Sequence, residues 1–422
     1  MIKRQIECKA AGEVCHFAKL DSGLEVYVCE KKGFGSNYAI FGTKYGSIDT
    51  EFSKNGQEKI TVPAGIAHFL EHKLFEGEDG DAFTKYAVTG ASANAYTSFD
   101  RTCYLFGCAD NFDKNFDILL DFVSSPYFTK ETVEKEQGII GQEIKMYEDV
   151  AEWRVLFNCL RGMYHNHPVK IEIAGTVQSI SEITPELLYS CYNTFYSPSN
   201  MFVCVCGDVD ADSVFEKIQS KIKSTEQCSI ERSTFDEPNT VCENFIEEKM
   251  AVAMPIFVVG IKDKIDTPDR SVKEIAVSRI LTEILSGRTS NFYDKLINSK
   301  LINDSFSSEY FCGHGYSAVL FEGESNEPEK VKDAICNEIT ALKESGIDNS
   351  VFDVVKKKLY GEEIIRFNDV EETVSSFVES AVSGYGVYDY IEALQSVTAE
   401  DINERIAKID LENVVLSVIR PF

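Results

Sequence analysis

The sequence lacks the features that mark several large classes of protein. It contains no apolar run approaching the roughly 18 residues that a membrane-spanning helix requires. It also lacks an excess of positive charge, because 42 lysines and arginines face 69 acidic residues and leave a net charge of −27. Nucleic acids and anionic membrane surfaces are bound by clustered lysine and arginine. We therefore expect no nucleic-acid partner and no membrane partner.

Processing signals and cysteine motifs are missing as well. The first residues carry no apolar segment typical of a secretory signal, and the 13 cysteines include no Cys-x-x-Cys pair. Scattered cysteines in odd number, without such a signal, are typical of reduced thiols in the cytosol. These absences predict a cytoplasmic protein.

Histidine is scarce, with six in 422 residues. Two of the six nevertheless stand four residues apart, in the segment His68-Phe-Leu-Glu71-His72. On a helix, positions i and i+4 share one face, so the two imidazoles lie one turn apart with Glu71 beside them. This order is the inverted form of the His-Glu-x-x-His zinc motif, whose glutamate can act as general base. The alternative is an amphipathic helix with ordinary histidines, and chance supplies the pattern about once in a hundred such chains.

A catalytic zinc usually takes three protein ligands, so a third ligand is expected downstream. The segment 134–148 has the pattern of a helix and carries Glu136 and Glu143. Seven residues make two helical turns, which puts both carboxylates on about the same face. Either glutamate alone would be a solvated surface residue in so acidic a chain. Together with the histidine motif, they become candidates for the metal site.

Further segments of the first half accompany these motifs. They are Gly90–Ser98, Asn166–Val169, Ala174–Thr176, Phe195–Met201 and Gly207–Val209. With His68–Glu76 and the two glutamates, they cover about residues 60–210 densely. This part of the chain resembles the pitrilysin/insulinase family of zinc peptidases, which includes the mitochondrial processing peptidases, and within it the YmfH-type bacterial members.

The resemblance implies a role for each candidate residue. His68, His72 and Glu143 would bind one Zn²⁺ per chain. Glu71 would be the catalytic general base that takes a proton from the attacking water. Glu136 would stand behind the ligands and orient an imidazole, as carboxylates next to metal-binding histidines do.

The same resemblance implies where a peptide substrate binds. The segment Ala93-Asn94-Ala95 would form an edge strand on which the peptide docks as an added β-strand. Family members also carry an Arg–Tyr pair, seven residues apart, that holds substrate from the non-catalytic half. We cannot find that pair in residues 292–306. Either a partner subunit supplies the contact or other residues of this chain do, and the candidates are Arg288, Tyr310 and Tyr316.

The chain also repeats itself. Gly141-Gln-Glu-Ile144 matches Gly361-Glu-Glu-Ile364 at an offset of 220 residues, and Ile183-Thr184 matches Val397-Thr398 at an offset of 214. Near-equal offsets predict two homologous halves. The predicted organisation is a metal-bearing catalytic half at 1–223, a polar linker at 224–240 and a degenerate half at 241–422.

Each half is expected to have an α+β fold, with a mostly antiparallel sheet and helices packed on one face. Period-two runs of β-branched and aromatic residues predict strands, and period-3.6 runs predict helices. The predicted strands include 23–28, 38–41 and 103–106, and the predicted helices include Asn115–Val123, Glu134–Tyr147, Glu329–Lys343 and Ser350–Ile364.

The second half has no histidine where the motif would recur, near Leu281–Arg288, and Glu363 would be a relic of the third ligand or a surface residue. The resemblance therefore implies one catalytic half and one half that walls a substrate chamber. Such a chamber needs four halves, which implies a homodimer or a heterodimer with a motif-less paralogue. Our first hypothesis is a zinc endopeptidase or processing peptidase that hydrolyses unfolded peptides in this chamber. The alternative is a zinc-binding scaffold subunit of a heterodimer with little activity of its own.

Overall fold

The structure, a computed structural model, describes residues 1–223 and 229–422. Residues 224–228 of the predicted linker therefore lie outside the described residues. The described chain forms two units, each built from three segments. Unit 1 contains Met1–Ile144, Glu172–Ser233 and Glu363–Tyr388, and unit 2 contains Lys145–Ile171, Thr234–Glu362 and Asp389–Phe422.

The strands are short, and most belong to one sheet in each unit. They are β1 (Ile2–Cys8), β2 (Glu13–Lys19), β3 (Glu25–Glu30), β4 (Asn37–Thr43), β5 (Glu51–Lys54), β6 (Ile60–Thr61), β7 (Glu76–Gly77), β8 (Gly80–Asp81), β9 (Ser92–Thr97), β10 (Thr102–Cys108), β11 (Met201–Gly207), β12 (Ile230–Arg232), β13 (Phe245–Met250), β14 (Ile256–Lys262), β15 (Ser307–Gly313), β16 (Tyr316–Glu324) and β17 (Val414–Pro421).

The helices are also short to medium in length. None in the described parts of the chain is both long and apolar enough to span a bilayer. They are α1 (Ile66–Leu74), α2 (Ala82–Thr89), α3 (Phe112–Val123), α4 (Lys130–Glu148), α5 (Ala151–Met163), α6 (Val177–Ile180), α7 (Pro185–Phe195), α8 (Ala211–Lys221), α9 (Val272–Ser286), α10 (Asn291–Asn298), α11 (Pro328–Ser345), α12 (Asn349–Arg366), α13 (Val370–Ser383), α14 (Asp389–Ser396) and α15 (Ala399–Lys408).

Unit 1 is organised around a seven-stranded sheet with the order β1-β2-β3-β11-β4-β10-β9. Its neighbours pair antiparallel except β3 and β11, which are parallel. Alternate residues of β11, such as Val203 and Val205, face a core built with α1, α3, α4, α7 and α8. The opposite face, which includes Tyr27, is covered by α13 through Phe377. The predicted α+β fold with a mostly antiparallel sheet is confirmed.

Unit 2 repeats the plan with a five-stranded sheet in the order β13-β17-β14-β16-β15. The parallel pair here is β13 and β17. Phe257, Val259 and Ile261 of β14 face the core. On the other face α5 packs so closely that a Cβ on Gly260 would lie 2.8 Å from the sulfur of Cys159. Each sheet therefore has helices on both faces, with the larger helical layer on the core side. The predicted packing on one face was wrong in this respect, because α13 covers the second face in unit 1 and α5 covers it in unit 2.

The boundaries of the two units differ from those of the predicted halves 1–223 and 241–422. Helix α5 belongs to unit 2 and α13 belongs to unit 1, because each packs on the sheet of that unit. The predicted repeat remains visible in matching helix starts. Thr184 and Thr398 are the N-caps of α7 and α15, and each side chain accepts a hydrogen bond from the helix backbone.

A close backbone crossing fixes the start of α1. Gly65 precedes the helix with φ of 92°, and a Cβ there would lie 2.3 Å from the carbonyl oxygen of Ala174. Gly175 faces it with φ of 74°, and its Cβ would lie 2.4 Å from the oxygen of Ala64. Ser179 Oγ also donates a hydrogen bond to Ala64 O at 2.8 Å. Only glycine fits both positions, so α1 begins at a fixed point on the loop 174–176.

We predict that Gly65→Ala lowers the stability of the protein by about 1–3 kcal/mol, because it forces an L-residue into the left-handed region against a backbone oxygen. The measurement is the apparent melting temperature. Gly138→Ala is the matched control, since Gly138 lies exposed inside α4 with open space around it and alanine there should stabilise by roughly 0.5–1 kcal/mol. Equal melting temperatures for both variants would contradict the role assigned to the crossing.

Candidate active site

The predicted metal ligands converge from two helices of unit 1. His68 and His72 lie one turn apart on α1, and Glu143 comes from α4. Glu143 Oε1 is 3.6 Å from His68 Nε2, and Glu143 Oε2 is 3.4 Å from His72 Nε2. One ligand atom from each residue lies within 4.8 Å of the others. Within residues 1–223 and 229–422, this is the one group of three or more such side chains with that spacing.

The apolar face of α1 holds the histidines in place. Phe69, Leu70 and Leu74 are at most 1% exposed and belong to the core of unit 1. The pattern of buried residues at positions 66, 69, 70 and 74 gives the helix its core face. Since that face is fixed by packing, the imidazoles at 68 and 72 have a fixed direction.

Burial controls the charge of the first histidine. It lowers the pKa of His68 to about 3, with a smaller contribution from neighbouring His72. The ring is therefore neutral at physiological pH, which is the state that binds a metal. Its Nδ1 has no hydrogen-bonding partner within the described part of the chain.

The second histidine is held from both sides by α4. His72 Nδ1 lies 3.1 Å from Glu136 Oε1. Burial acts to lower the pKa of His72, but this hydrogen bond and the charges of Glu71 and Glu143 outweigh it and raise the pKa above the ordinary value. A carboxylate on Nδ1 fixes the tautomer whose Nε2 is free to bind a metal. Glu136 therefore contacts the imidazole of His72 at Nδ1.

Glu71 lies beside His72 in the same helix. It is an unusual carboxyl group because it is buried and its pKa is raised. It is 8% exposed, and burial raises its pKa to about 7. The hydroxyl of Thr97 donates a hydrogen bond to Glu71 Oε2 at 2.6 Å and acts in the opposite direction, because it favours the carboxylate. A carboxyl group with a pKa near neutrality can both accept and release a proton during a reaction.

The donor set fits a catalytic zinc. Two imidazole nitrogens and one carboxylate are three of the ligands that zinc accepts, and a three-ligand site leaves a coordination position open. A site that only stabilises the fold is usually closed by four protein ligands. Glu136 adds the outer hydrogen bond that metal-binding histidines commonly have.

The predicted docking segment Ala93-Asn94-Ala95 lies on β9, which is the edge strand of the seven-stranded sheet. β9 pairs with β10 on one side. No strand of the described residues pairs with its other side, where another strand could add, although the backbone N–H of Ala95 donates to Asn94 Oδ1 at 2.9 Å. Because Thr97 of β9 contacts Glu71, this edge runs directly beside the site.

Two functional contacts were missed by sequence reasoning. Thr97 lies in a segment that carries the family resemblance, but nothing in its spacing indicates that it reaches Glu71. Glu76 forms ion pairs with Lys73 of α1 and with Lys135 of α4, the latter at 3.7 Å. It thereby ties the end of α1 to the helix that carries Glu136.

The second half offers no comparable site among the described residues. Glu363 is buried and pairs with Arg366 at 3.3 Å, so it is not a surface residue. The three candidates for the missing Arg–Tyr pair also have structural contacts. Tyr310 and Tyr316 are both buried, and Arg288 donates to the backbone oxygen of Asp304 at 3.1 Å.

Comparison with known proteins matches both parts of the chain to one family of peptidases. Residues 61–177 match the family model "Insulinase (Peptidase family M16)", and residues 182–359 match "Peptidase M16 inactive domain". A Bacillus subtilis protein named "Uncharacterized zinc protease YmfH" is 41% identical over 414 residues, which is 96% of each chain.

Solved structures give the same result. An M16-like peptidase from Alicyclobacillus acidocaldarius has a TM-score of 0.94 and 35% identity, over 99% of this chain and 100% of that one. Pitrilysin shares the fold with a TM-score of 0.77 at 16% identity, over 99% of this chain and 46% of its own. The identity to the Bacillus relative, over nearly the whole of both chains, shows that this protein belongs to the M16 (insulinase/pitrilysin) family of peptidases.

Proposed function

We propose that this protein is a zinc-dependent endopeptidase or processing peptidase that hydrolyses unfolded peptides. The observation that carries the proposal is the position of Glu71, a buried carboxyl group beside a three-ligand cluster and beside the free edge of β9. Peptide hydrolysis needs a general base, a metal site and a place where the peptide docks. All three would lie close together here.

The metal would be held by His68, His72 and Glu143. When bound, Zn²⁺ supplies a Lewis acid that polarises the scissile carbonyl and makes water a better nucleophile near neutral pH. His68 enters as a neutral ring, since its pKa is about 3. Glu136 lies 3.1 Å from His72 Nδ1 and would hold the ring proton there, which leaves Nε2 for the metal.

Glu71 transfers a proton from the attacking water to the leaving nitrogen. Its carboxylate accepts a proton from the attacking water as the C–O bond forms. It then passes the proton to the amide nitrogen, which leaves as the amine when the C–N bond breaks. The hydrogen bond from Thr97 orients one oxygen of Glu71 and leaves the other for this transfer.

The substrate would bind as an extended strand along β9, at Ala93, Asn94 and Ala95. Backbone hydrogen bonds to an edge strand hold any sequence that is extended. A folded protein cannot present such a strand, so the substrates are unfolded segments or peptides.

A dimer is the proposed working form, in a closed chamber. The chain matches 46% of the length of pitrilysin and contains one half with the motif and one without it. Two chains would supply four halves, either as a homodimer or with a motif-less paralogue. A cytoplasmic location stays part of the proposal, and it is consistent with the 12 cysteines of the described residues, none of which forms a disulfide.

The alternative function is a zinc-binding scaffold subunit with little activity of its own. It is supported by the match of residues 182–359 to an inactive domain and by the missing Arg–Tyr pair. The two proposals differ in whether the pure chain, shown to be monomer or dimer by sedimentation, cleaves peptides without a partner.

We predict that the zinc-loaded chain cleaves members of a pool of unstructured peptides, and that Glu71→Gln lowers the rate at least about a hundredfold while zinc is retained. Mass spectrometry of the fragments is the measurement. Glu148→Gln, an exposed site at the end of α4, is the control. A pool that stays intact with the unchanged chain would favour the scaffold, and cleavage by Glu71→Gln at the full rate would contradict the general-base role.

Zinc content tests the ligand set independently of activity. His68→Ala, His72→Ala and Glu143→Ala should each reduce bound zinc from about one atom per chain to a small fraction, because a two-ligand site binds weakly. Glu136→Gln keeps a partner for His72 and should lower activity more than zinc content. A fully loaded ligand variant would remove that residue from the set.

Thr97→Val should move the acidic limb of the kcat/KM profile towards higher pH, by roughly one unit. Glu71 is active as the carboxylate, so activity is lost as pH falls through its pKa. Removing a hydrogen bond that favours the carboxylate raises this pKa further above the ordinary value. Thr97→Ser retains the hydroxyl and serves as control. Superimposable profiles for Thr97→Val and the unchanged chain would refute the contact.

A further inference from the structure

A row of three cysteines crosses the sheet of unit 1. Cys15 of β2 stands opposite Cys29 of β3, and Cys29 stands opposite Cys206 of β11. Residues directly opposite each other on paired strands point to the same face of a sheet. The three thiols therefore lie side by side. They share the face that carries Tyr27 and that α13 covers, which is the face turned away from α1.

The thiols of this row are closed off from water and are not suited to covalent catalysis. Cys15, Cys29 and Cys206 are each at most 1% exposed. Burial raises the pKa of the Cys15 thiol, and contact with the Cys206 thiol, together with burial, raises the pKa of Cys29. A nucleophilic cysteine needs a thiolate at neutral pH. Two roles remain for the row, which are the packing of small apolar side chains and the binding of a metal that displaces the thiol protons.

A buried ion pair adjoins the middle of the row. Cys29 Sγ donates a hydrogen bond to Glu13 Oε2 at 3.4 Å. Glu13 pairs with Lys31, which is 8% exposed and also donates from Nζ to the backbone oxygen of Phe367 at 2.7 Å. An ammonium group is therefore fixed close to Cys29, where it can compensate negative charge that develops on the sulfur.

Tyr388 brings a hydroxyl group without a partner to the same place. Its ring packs against Phe367 and Phe377, and the residue is 5% exposed. The hydroxyl oxygen is buried and has no hydrogen-bonding partner within the described part of the chain. Burial raises the pKa of Tyr388, and the neighbouring thiols of Cys15 and Cys29 add to this rise. A buried donor that lacks an acceptor indicates that an acceptor arises beside it in another state of the protein.

We propose that Cys29 and Cys206 bind one cuprous ion, Cu⁺, between their sulfur atoms. Thiolates select soft ions such as Cu⁺, whereas a structural Zn²⁺ usually takes four ligands. Since the two thiols are already in contact, a two-coordinate ion requires only a small outward shift of each sulfur. This site is separate from the histidine cluster and does not depend on peptidase activity.

The binding step balances in atoms and charge. Two S–H bonds break, two S–Cu bonds form, two protons leave and the copper stays cuprous. The resulting bis-thiolate complex carries one negative charge. Lys31 lies beside it as the compensating cation, and the hydroxyl of Tyr388 gains a thiolate sulfur as acceptor. The arrangement thus gives the unpartnered hydroxyl a hydrogen bond.

Copper retention against a chelator tests the site. Cuprous ion is supplied anaerobically as its acetonitrile complex to the zinc-loaded chain, with bicinchoninate as competitor, and copper is counted by mass spectrometry after gel filtration. The unchanged chain should keep about one copper ion. Cys29→Ala and Cys206→Ala should each keep at least about tenfold less, because one thiolate binds weakly. Cys191→Ala is the matched control, since Cys191 is equally buried on the core side in α7 and should not affect loading.

The melting temperature before copper is added shows whether each variant is folded. Cys29→Val and Cys206→Val keep the apolar volume and replace any alanine variant that does not fold. Tyr388→Phe gives a second readout that packing alone would not change. It should weaken copper binding about fivefold through the lost hydrogen bond. It should not lower the melting temperature of the copper-free chain, because the hydroxyl has no partner to lose.

Two results would overturn the proposal. Transfer of all copper from the unchanged chain to the chelator would leave the row as small apolar side chains packed under α13. Equal copper retention by Cys29→Ala, Cys206→Ala and the unchanged chain would place the ion elsewhere, for example at the histidine cluster. Loss of copper in both cysteine variants, with full loading of Cys191→Ala, supports the site.

Discussion

The double restraint on His72 is the interaction on which the site depends. Its Nδ1 lies 3.1 Å from Glu136 and its Nε2 lies 3.4 Å from Glu143, so one imidazole joins α1 to two turns of α4. The ion pairs of Glu76 with Lys73 and Lys135 repeat this link at the end of α1. Because α1 is fixed by its core face and by the crossing at Gly65, α4 is positioned relative to a rigid partner. The geometry of the proposed metal site therefore follows from the placement of the two helices rather than from flexible side chains.

Burial gives the polar residues of α1 their chemical properties. His68 and Glu71 are each 8% exposed, on a helix whose apolar side chains fill the core. Placing ionisable groups there costs folding energy, and the same burial shifts their pKa values in the direction that function needs. It keeps His68 neutral, as the proposed metal ligand has to be, and it raises the pKa of Glu71 to about 7, near the pH at which the proposed general base would work. The hydroxyl of Thr97 offsets part of the shift, so Glu71 is tuned by two neighbouring elements.

Much of this arrangement could be predicted from the sequence. The contacts that could not be predicted share one physical reason. The spacing of four residues puts His68 and His72 on one face of a helix. The spacing of seven residues does the same for Glu136 and Glu143. Both are local rules of one helix. Thr97 reaches Glu71 through a strand pairing, and α5 and α13 pack on sheets outside their predicted halves. Such contacts depend on tertiary packing. The hydrophobic period of a segment and the spacing of its residues predict only local structure.

In the proposed site, His68, His72 and Glu143 hold one zinc ion, and Glu71 lies next to it and outside the coordination sphere. The most direct test is a crystal structure of the zinc-loaded chain with anomalous diffraction collected at the zinc edge. This arrangement predicts a single strong peak bounded by the two Nε2 atoms and the Glu143 carboxylate, with Glu71 hydrogen-bonded to Thr97. A peak at another place, or a site closed by a fourth protein ligand, would contradict it.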